Sequence, residues 1–179
     1  MSRRLFFALP LPDAARAQAL RAQEAARHLR ASFPAAEGLH VTLAFLGDRD
    51  GDEVPRLLEA AAAAARGVAP FPLETRGLGG FPRLSAPRVL WMGLAEQPAL
   101  ADLARRLALE LATAGAPPDP APFRPHITLA RLRVPADLRD LPFPGPPEAW
   151  TADAFHLYES VQAERGSRYL SLGAVPLEG

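Results

Sequence analysis

The chain has 179 residues, is 49% hydrophobic, and carries 20 basic and 20 acidic side chains, so its formal net charge is zero. This length and apolar fraction are typical of one folded domain or two small lobes with a shared core, and they exclude wholesale disorder. Proteins that wrap duplex nucleic acid are strongly basic, so the balanced charge leaves only local contacts, such as a bound strand end. The absence of Cys excludes disulfide scaffolds, Cys-ligated metal centres and thiol catalysis.

The first apolar run of the chain is short. It lies in M-S-R-R-L-F-F-A-L-P-L-P-D and is too short for the core of a secretion signal or for a membrane span. We therefore expect no membrane contact and a cytoplasmic protein.

Strand-like and helix-like segments alternate along the chain, separated by Gly and Pro. The predicted helices, rich in Ala, Leu and Arg, cover residues 14–31, 52–66 and 98–113. The predicted strands cover residues 3–9, 39–46, 71–76, 87–94, 123–134, 150–161 and 168–175, the last two joined as a hairpin across A-E-R-G-S. The Pro-rich segment 135–147 is predicted to be a loop. Strands mixed with helices, without a regular βαβ rhythm, predict an α+β fold.

The two halves of the chain resemble each other. R-R-L-F-F-A-L at residues 3–9 matches R-V-L-W-M-G-L at residues 88–94, and H-V-T-L-A at residues 40–44 matches H-I-T-L-A at residues 126–130. Phe6 precedes His40 by 34 residues, and Trp91 precedes His126 by 35, with a predicted helix between them in each half. The repeat predicts a duplicated, bilobal fold. We expect one domain over residues 1–179: two pseudo-symmetric lobes with antiparallel-rich sheets around a central cleft, and helices outside.

Each repeated His-x-Thr element places polar groups on one face of a strand. Side chains alternate with a period of two, so His40 and Thr42 share a face, as do His126 and Thr128. Unpaired polar groups are costly in a core, and such a conflict within an apolar strand is typical of a functional site. A pseudo-two-fold axis between the lobes would bring the two polar faces together across the cleft.

Two imidazoles and two hydroxyls suit displacement at a phosphorus atom. One ring can act as general base and the other as general acid on opposite sides of the reacting atom, while the Thr hydroxyls donate to phosphate oxygens. An Arg would add a permanent charge. Arg131 is the first candidate. It lies five residues after His126, on the opposite face of a regular strand, so it reaches the site only through a bulge, a twist or a strand end. Arg124 lies two residues before His126, on the same face of the strand, and is the alternative.

Other residues have weaker claims on a site. Phe6 and Trp91 occupy equivalent positions of the repeat, and each is a candidate for stacking on a base. His28 and His156 have no partner in the repeat and are assigned structural or exposed roles. Tyr158 and Ser160 fit either a cleft or a core. Two His with Thr in place of a carboxylate fall short of a zinc or iron site, so no metal and no other cofactor is expected.

The sequence resembles the two-histidine (2H) phosphoesterases, and more narrowly the RNA 2′,3′-cyclic phosphodiesterases, also called 2′-5′ RNA ligases. The resemblance extends from residue 3 to residue 177. It is carried by E-G-L-H-V-T-L-A-F-L-G-D, F-P-R-L-S-A-P-R-V-L-W-M-G-L, F-R-P-H-I-T-L-A-R and L-Y-E-S-V-Q-A-E-R-G-S-R-Y-L, in the expected order.

The resemblance implies hydrolysis of an RNA 2′,3′-cyclic phosphate end to a 2′-phosphomonoester without a metal. It implies that His40 is the proton donor and His126 the proton acceptor, with Thr42, Thr128 and Arg131 holding the phosphate. The expected partner is an RNA with such an end, or a small cyclic nucleotide, bound to a monomer. Two alternatives stay open: 2′-5′ RNA ligation by the reverse reaction, and a non-catalytic module that binds RNA ends.

Overall fold

The computed structural model describes residues 1–164 and 166–179. In these residues there are three α-helices: α1 (Asp13–Ala25), α2 (Val54–Ala65) and α3 (Pro98–Thr113). Nine strands accompany them: β1 (Ser2–Pro10), β2 (Ala31–Ser32), β3 (His40–Asp50), β4 (Phe71–Phe81), β5 (Val89–Leu94), β6 (His126–Leu132), β7 (Ala149–Ala152), β8 (Ala154–Ala163) and β9 (Gly166–Pro176). None of these helices is long and apolar enough to cross a membrane.

The predicted elements are present, but several of their ends differ from the prediction. Helix α1 stops at Ala25 rather than at residue 31, because residues 31–32 pair with β6 as the short strand β2. Strand β6 begins at His126 rather than at residue 123, since Pro122 and Pro125 supply no backbone N–H to a ladder. Strand β4 continues to Phe81 and β3 to Asp50, and the single strand predicted over residues 150–161 is divided into β7 and β8. The predicted hairpin of β8 and β9 forms, but its turn includes Arg165, which lies outside the described residues.

The strands form one sheet in the order β7-β4-β5-β6-β3-β1-β8-β9, with β2 paired to β6. The named strands pair only in the antiparallel sense in the described residues. Strands β3 and β6, which carry the two His-x-Thr elements, meet at its centre, where Val41 pairs with Ile127. On either side lies the strand that precedes it in the repeat, β1 beside β3 and β5 beside β6. The predicted α+β duplication is therefore confirmed, whereas a single domain over residues 1–179 stays a prediction.

The helices cover the side of the sheet opposite the His-x-Thr residues. Each repeat's helix packs behind the other repeat's central strand: α1 behind β6 and α3 behind β3. Helix α2 packs on α3 and β9. The core between helices and sheet is continuous and includes Leu5, Phe7, Leu107, Leu129 and Phe155. Because the helices cross over, the two halves share one core, which fixes the two central strands relative to each other.

A buried polar network holds the Pro-rich loop 135–147 against α1. The Gln18 amide donates to the Pro146 carbonyl at 2.7 Å and accepts from the Thr75 hydroxyl at 2.6 Å. The Thr75 hydroxyl in turn accepts from the Glu148 backbone N–H at 2.9 Å. Gln18 and Thr75 are fully buried, so these bonds satisfy groups that would otherwise be costly in the core.

Candidate active site

The pairing of β3 with β6 brings the two His-x-Thr elements together. Val41 and Ile127 pair with each other, and both side chains are fully buried on the face of the sheet that the helices cover. The residues before and after each of them therefore project from the opposite face. In this antiparallel register residue 40 lies across from residue 128, and residue 42 across from residue 126. The imidazole of each half therefore neighbours the Thr of the other half, as the pseudo-two-fold axis predicts.

These four residues line a single cleft of about 600 Å³. Arg131 lines the same cleft. The rest of its wall comes from the β1, β8 and β9 half and from the segment before β3: Arg4, Phe6, Pro34, Gly38, Phe45, Ser160, Gln162, Ser167 and Tyr169. The structure thus brings together the residues for which the resemblance implies roles in acid–base catalysis and phosphate binding.

A β-bulge turns Arg131 into the cleft. Along β6, Thr128 pairs with Trp91 and Ala130 with Leu90, so Leu129 is an extra residue without a partner on β5. Leu129 and Ala130 are both fully buried, and the next residue, Arg131, returns to the side of Thr128. The bulge therefore explains how Arg131 reaches the cleft, although a regular strand would place it on the face opposite His126.

Strand β3 carries the same irregularity. Thr42 pairs with Ala8 and Ala44 with Phe7, which leaves Leu43 as the extra residue. The bulge brings Phe45 into the cleft at the position equivalent to that of Arg131. The Arg4 guanidinium lies 5.0 Å from the centre of the Phe45 ring. The duplicated site is therefore asymmetric, because one half contributes a cation where the other contributes an aromatic ring.

Backbone carbonyls orient both imidazoles. Nδ1 of His40 lies 2.7 Å from the Gly38 carbonyl, and Nδ1 of His126 lies 2.6 Å from the Arg124 carbonyl. A carbonyl only accepts, so each Nδ1 carries a proton and each Nε2 is the nitrogen available for proton transfer. Nε2 of His40 lies 2.9 Å from the Thr42 hydroxyl, which donates to it when the ring is neutral.

Aromatic rings enclose each histidine. The His40 ring lies 4.9 Å from Phe6 and meets the Tyr169 ring edge-on at 5.3 Å. The His126 ring meets Phe81 edge-on at 5.1 Å and lies 6.2 Å from Trp91. These contacts restrict rotation of the imidazoles and remove water from around them.

Burial lowers the pKa of both imidazoles. The pKa of His40 falls to about 4. The main cause is desolvation of the buried ring, and electrostatic repulsion from His126 and Arg131 lowers the pKa further. The pKa of His126 is also lowered, by burial and then by Arg131. Hydrogen bonds to the Gly38 and Arg124 carbonyls oppose these shifts. At neutral pH both rings are therefore neutral in the free protein.

The depressed pKa of His40 predicts an acid-sensitive fold. Between pH 6.5 and about 4 the unfolded chain binds a proton at this residue and the folded chain does not, so the free energy of unfolding falls as the pH falls through this window. The full loss from His40 is about 3 kcal/mol. Urea denaturation at pH 7 and at pH 4 should show a smaller loss of stability in His40→Gln than in the native chain.

The exposed His28 provides the matched control for this measurement. His28→Gln is expected to lose as much stability between pH 7 and pH 4 as the native chain does. Equal losses in His40→Gln and in the native chain would contradict a buried neutral imidazole at position 40.

The remaining predicted site residues lie around the cleft. Arg124 is exposed, and its guanidinium lies 6.0 Å from the Phe81 ring, in a groove that joins the cleft beside His126. Phe6 lines the cleft but is only 3% exposed, stacked on Tyr158 at 5.5 Å, so it supports His40 from behind. Trp91 packs beside His126. Contact of these three with substrate stays a prediction.

The predicted equivalence of Phe6 and Trp91 is wrong by two residues. Phe6 pairs with Phe45, whereas Trp91 pairs with Thr128, so the residue equivalent to Trp91 is Ala8. Sequence similarity aligned two large rings, but the register of β1 on β3 differs from that of β5 on β6. Each ring still faces the cleft side, because a shift of two residues preserves the face of a strand.

Sequence reasoning missed two aromatic residues of the cleft, Phe45 and Tyr169. Phe45 follows H-V-T-L-A as Arg131 follows H-I-T-L-A, so the repeat extended by one residue would have found it. Tyr169 pairs with Ser160, for which the sequence predicted either a cleft or a core position. No local signal marks Tyr169, because its place beside His40 depends on the order β3-β1-β8-β9.

The arrangement supports acid–base chemistry on an anion. The imidazoles of both histidines, the hydroxyls of Thr42 and Thr128 and the Arg131 guanidinium line one cleft that opens to solvent. In the part of the chain that the structure describes, no three His, Cys, Asp or Glu side chains lie close enough together to hold a metal ion.

Comparison with known proteins gives consistent matches. A family model described as the 2′-5′ RNA ligase superfamily matches residues 9–164. A Geobacillus stearothermophilus protein named RNA 2′,3′-cyclic phosphodiesterase is 38% identical over 80% of this chain, which spans 46% of that protein's length. A Thermus thermophilus protein of the same name is 37% identical over 98% of this chain and 91% of its own. The crystal structure of Escherichia coli LigT complexed with 3′-AMP superposes with a TM-score of 0.82 at 33% identity, covering 100% of both chains.

Proposed function

Because the chain belongs to the 2′-5′ RNA ligase superfamily, we propose that it hydrolyses the 2′,3′-cyclic phosphate at the end of an RNA strand to a 2′-phosphomonoester. The observation that carries the proposal is the convergence of His40, His126, Thr42, Thr128 and Arg131 on one cleft. The names of the relatives and the 3′-AMP in the LigT crystal support a nucleotide substrate.

The reaction is an in-line displacement at phosphorus. His126 Nε2 accepts a proton from water as the water oxygen attacks the phosphorus, and the bond from phosphorus to the 3′ oxygen breaks on the opposite side. His40 Nε2 donates a proton to the departing 3′ oxygen. Thr42 and Thr128 donate to the non-bridging oxygens, and Arg131 balances the charge that accumulates there. The 2′ oxygen keeps the phosphate.

The substrate supplies the charge that His40 needs. A phosphodiester is an anion, and a negative charge beside the ring favours its protonated form. Binding of the cyclic phosphate thus raises the pKa of His40 from about 4 toward neutral pH, so the ring becomes protonated and can act as the general acid once the substrate is bound. The charge of Arg131, which adds to burial and His126 in lowering the pKa of His40 in the free protein, is compensated by the same phosphate.

These groups supply the general acid, the general base and the oxyanion donors, so the proposed reaction has no step that requires a metal. The partner is an RNA bearing a cyclic phosphate end, or a small cyclic nucleotide, bound to a monomer of this chain.

Product identity tests the proposal. An oligonucleotide ending in a 2′,3′-cyclic phosphate should be converted to its 2′-phosphate with many turnovers per protein molecule, and at the same rate in EDTA. Formation of the 3′-phosphate would contradict the assigned leaving group. Binding without turnover would support a non-catalytic module for RNA ends, and a rate abolished by EDTA and restored by metal would contradict the metal-free mechanism.

A further inference from the structure

The cleft holds a second guanidinium besides that of Arg131. Arg4 of β1 lines the same space, and its guanidinium lies 5.0 Å from the centre of the Phe45 ring. A cation–π contact of this kind orients the guanidinium, while its N–H groups can still donate to other acceptors. Arg4 forms no salt bridge with a carboxylate of the described residues, although Asp48 is its strand partner on β3. It is therefore an oriented cation without a counter-charge.

The positive charge of the cleft exceeds the charge of one cyclic phosphate. Arg4 and Arg131 both line the cleft, and none of its lining residues in the described chain is Asp or Glu. A 2′,3′-cyclic phosphate is a diester with a single negative charge, which Arg131 balances in the proposed function. Complementary charges favour the ligand that supplies them all, so the lining suits a substrate with a second anionic group.

The order of the strands places Arg4 on the leaving-group side of the phosphate. Strand β6 carries His126, its neighbour β3 carries His40, and the next strand, β1, carries Arg4. In an in-line displacement the attacking oxygen enters beside the general base, and the leaving oxygen departs beside the general acid. With the roles of the proposed function, the nucleoside that keeps the 3′ oxygen therefore extends from His40 toward β1 and β8.

Neutral hydrogen-bonding side chains line the cleft on the same side as Arg4. Ser160 is the strand partner of Arg4 on β8, and Gln162 and Ser167 pair with each other across β8 and β9. All three line the cleft. Hydroxyl and amide groups can donate to phosphate oxygens, and a guanidinium adds charge-assisted hydrogen bonds. This end of the cleft thus has the composition of a second phosphate site.

We propose that Arg4 binds the phosphate on the 5′ oxygen of the terminal nucleotide, the group that links this nucleotide to the rest of an RNA strand. The inference rests on the proposed function, because it uses the side toward which His40 releases the 3′ oxygen. A nucleoside 2′,3′-cyclic phosphate lacks this second phosphate, whereas the end of any longer strand has it. Arg4 therefore favours RNA ends over small cyclic nucleotides, and no bond is made or broken at its phosphate.

Two substrates that differ by one phosphate test the inference. They are adenosine 2′,3′-cyclic phosphate and its 5′-(methyl phosphate), whose added group has the single negative charge of a strand linkage. The native chain is expected to prefer the second substrate in kcat/KM by about tenfold or more, the effect of a hydrogen bond to a charged group. Arg4→Ala is expected to lower this preference to less than about twofold, because it removes the charged donor.

Arg3→Ala is the matched control, because Arg3 precedes Arg4 on β1 but pairs with Glu159 and does not line the cleft. Its preference should equal that of the native chain. Equal kcat/KM for the two substrates in the native chain, or a native preference retained in Arg4→Ala, would overturn the second phosphate site while leaving the hydrolase intact. Failure of the native chain to hydrolyse both substrates and a cyclic-phosphate oligonucleotide would overturn the proposed function itself.

A separate observation concerns the bulge that aims Arg131. The extra residue, Leu129, has its carbonyl 3.0 Å from the Gln23 amide nitrogen, which donates to it from α1. The same nitrogen donates to the Pro34 carbonyl at 3.0 Å, and Pro34 lines the cleft. Gln23 is fully buried, and its Oε1 has no partner among the described residues.

We infer that Gln23 is a positioning residue for Arg131. A bulge leaves a ladder carbonyl unpaired, and burying that group without a donor is costly. The Gln23 amide supplies the donor, so it stabilises the backbone conformation in which Arg131 faces the phosphate. An apolar side chain would pack in this place without the unpartnered oxygen, but it would leave two carbonyls unsatisfied.

A double-mutant cycle separates this role from general stability. Gln23→Leu is expected to lower kcat/KM about tenfold in the native background and less than about twofold in the Arg131→Ala background. Gln18→Leu is the matched control, because Gln18 is equally buried on α1 but bonds to the Pro-rich loop and Thr75. Its factor should be the same in both backgrounds. A Gln23→Leu effect of equal size in both backgrounds would overturn the inference.

Discussion

Replacing either His40 or His126 with alanine is expected to lower kcat/KM for a 2′,3′-cyclic phosphate by about a thousandfold, within the range of 10²–10⁴ typical of a general acid or base. Each substitution removes one end of the in-line proton transfer. The double variant should lose little more than the worse single one, because the two groups act in one transition state. Initial rates with a cyclic-phosphate oligonucleotide measure all three.

His28→Ala controls for the removal of an imidazole as such. His28 is exposed outside the cleft, so its variant should keep the native rate. A His40 or His126 variant that retained a third of the native rate would contradict proton transfer by that ring.

Arg131→Ala is expected to lower kcat/KM by about 10²–10³, the effect of losing one oxyanion donor. Arg131 is the cation that the bulge in β6 brings into the cleft with both histidines. It meets the substrate in the ground state and in the transition state, so KM should rise and kcat should fall. Arg131→Lys keeps the charge without the planar fork and should recover only part of the rate.

Arg133→Ala is the matched control for this substitution. Arg133 is also exposed, lies two residues beyond Arg131 and does not line the cleft. Its variant should have native kinetics. An Arg131→Ala variant within threefold of the native chain would contradict phosphate binding by Arg131.

Much of the architecture follows from patterns within short stretches of sequence. The strand and helix segments follow from local composition, and the repeat of H-x-T-L-A predicts the duplication that places β3 beside β6. The ends of elements follow less well. Helix α1 stops early because β2 finds partners on β6, a hundred residues further along the chain, and no local propensity reports that competition.

By itself, the sequence determined that His40 and Thr42 share a face, and that His126 and Thr128 do so in a second, equivalent strand. That result needs only the two-residue period of an extended backbone. The tertiary structure decided the rest: the bulges that bring Arg131 and Phe45 into the cleft, the pairing of Trp91 with Thr128, and the rings that enclose each imidazole. Register and desolvation depend on strands and side chains distant in the sequence, so the pattern around a motif cannot determine them.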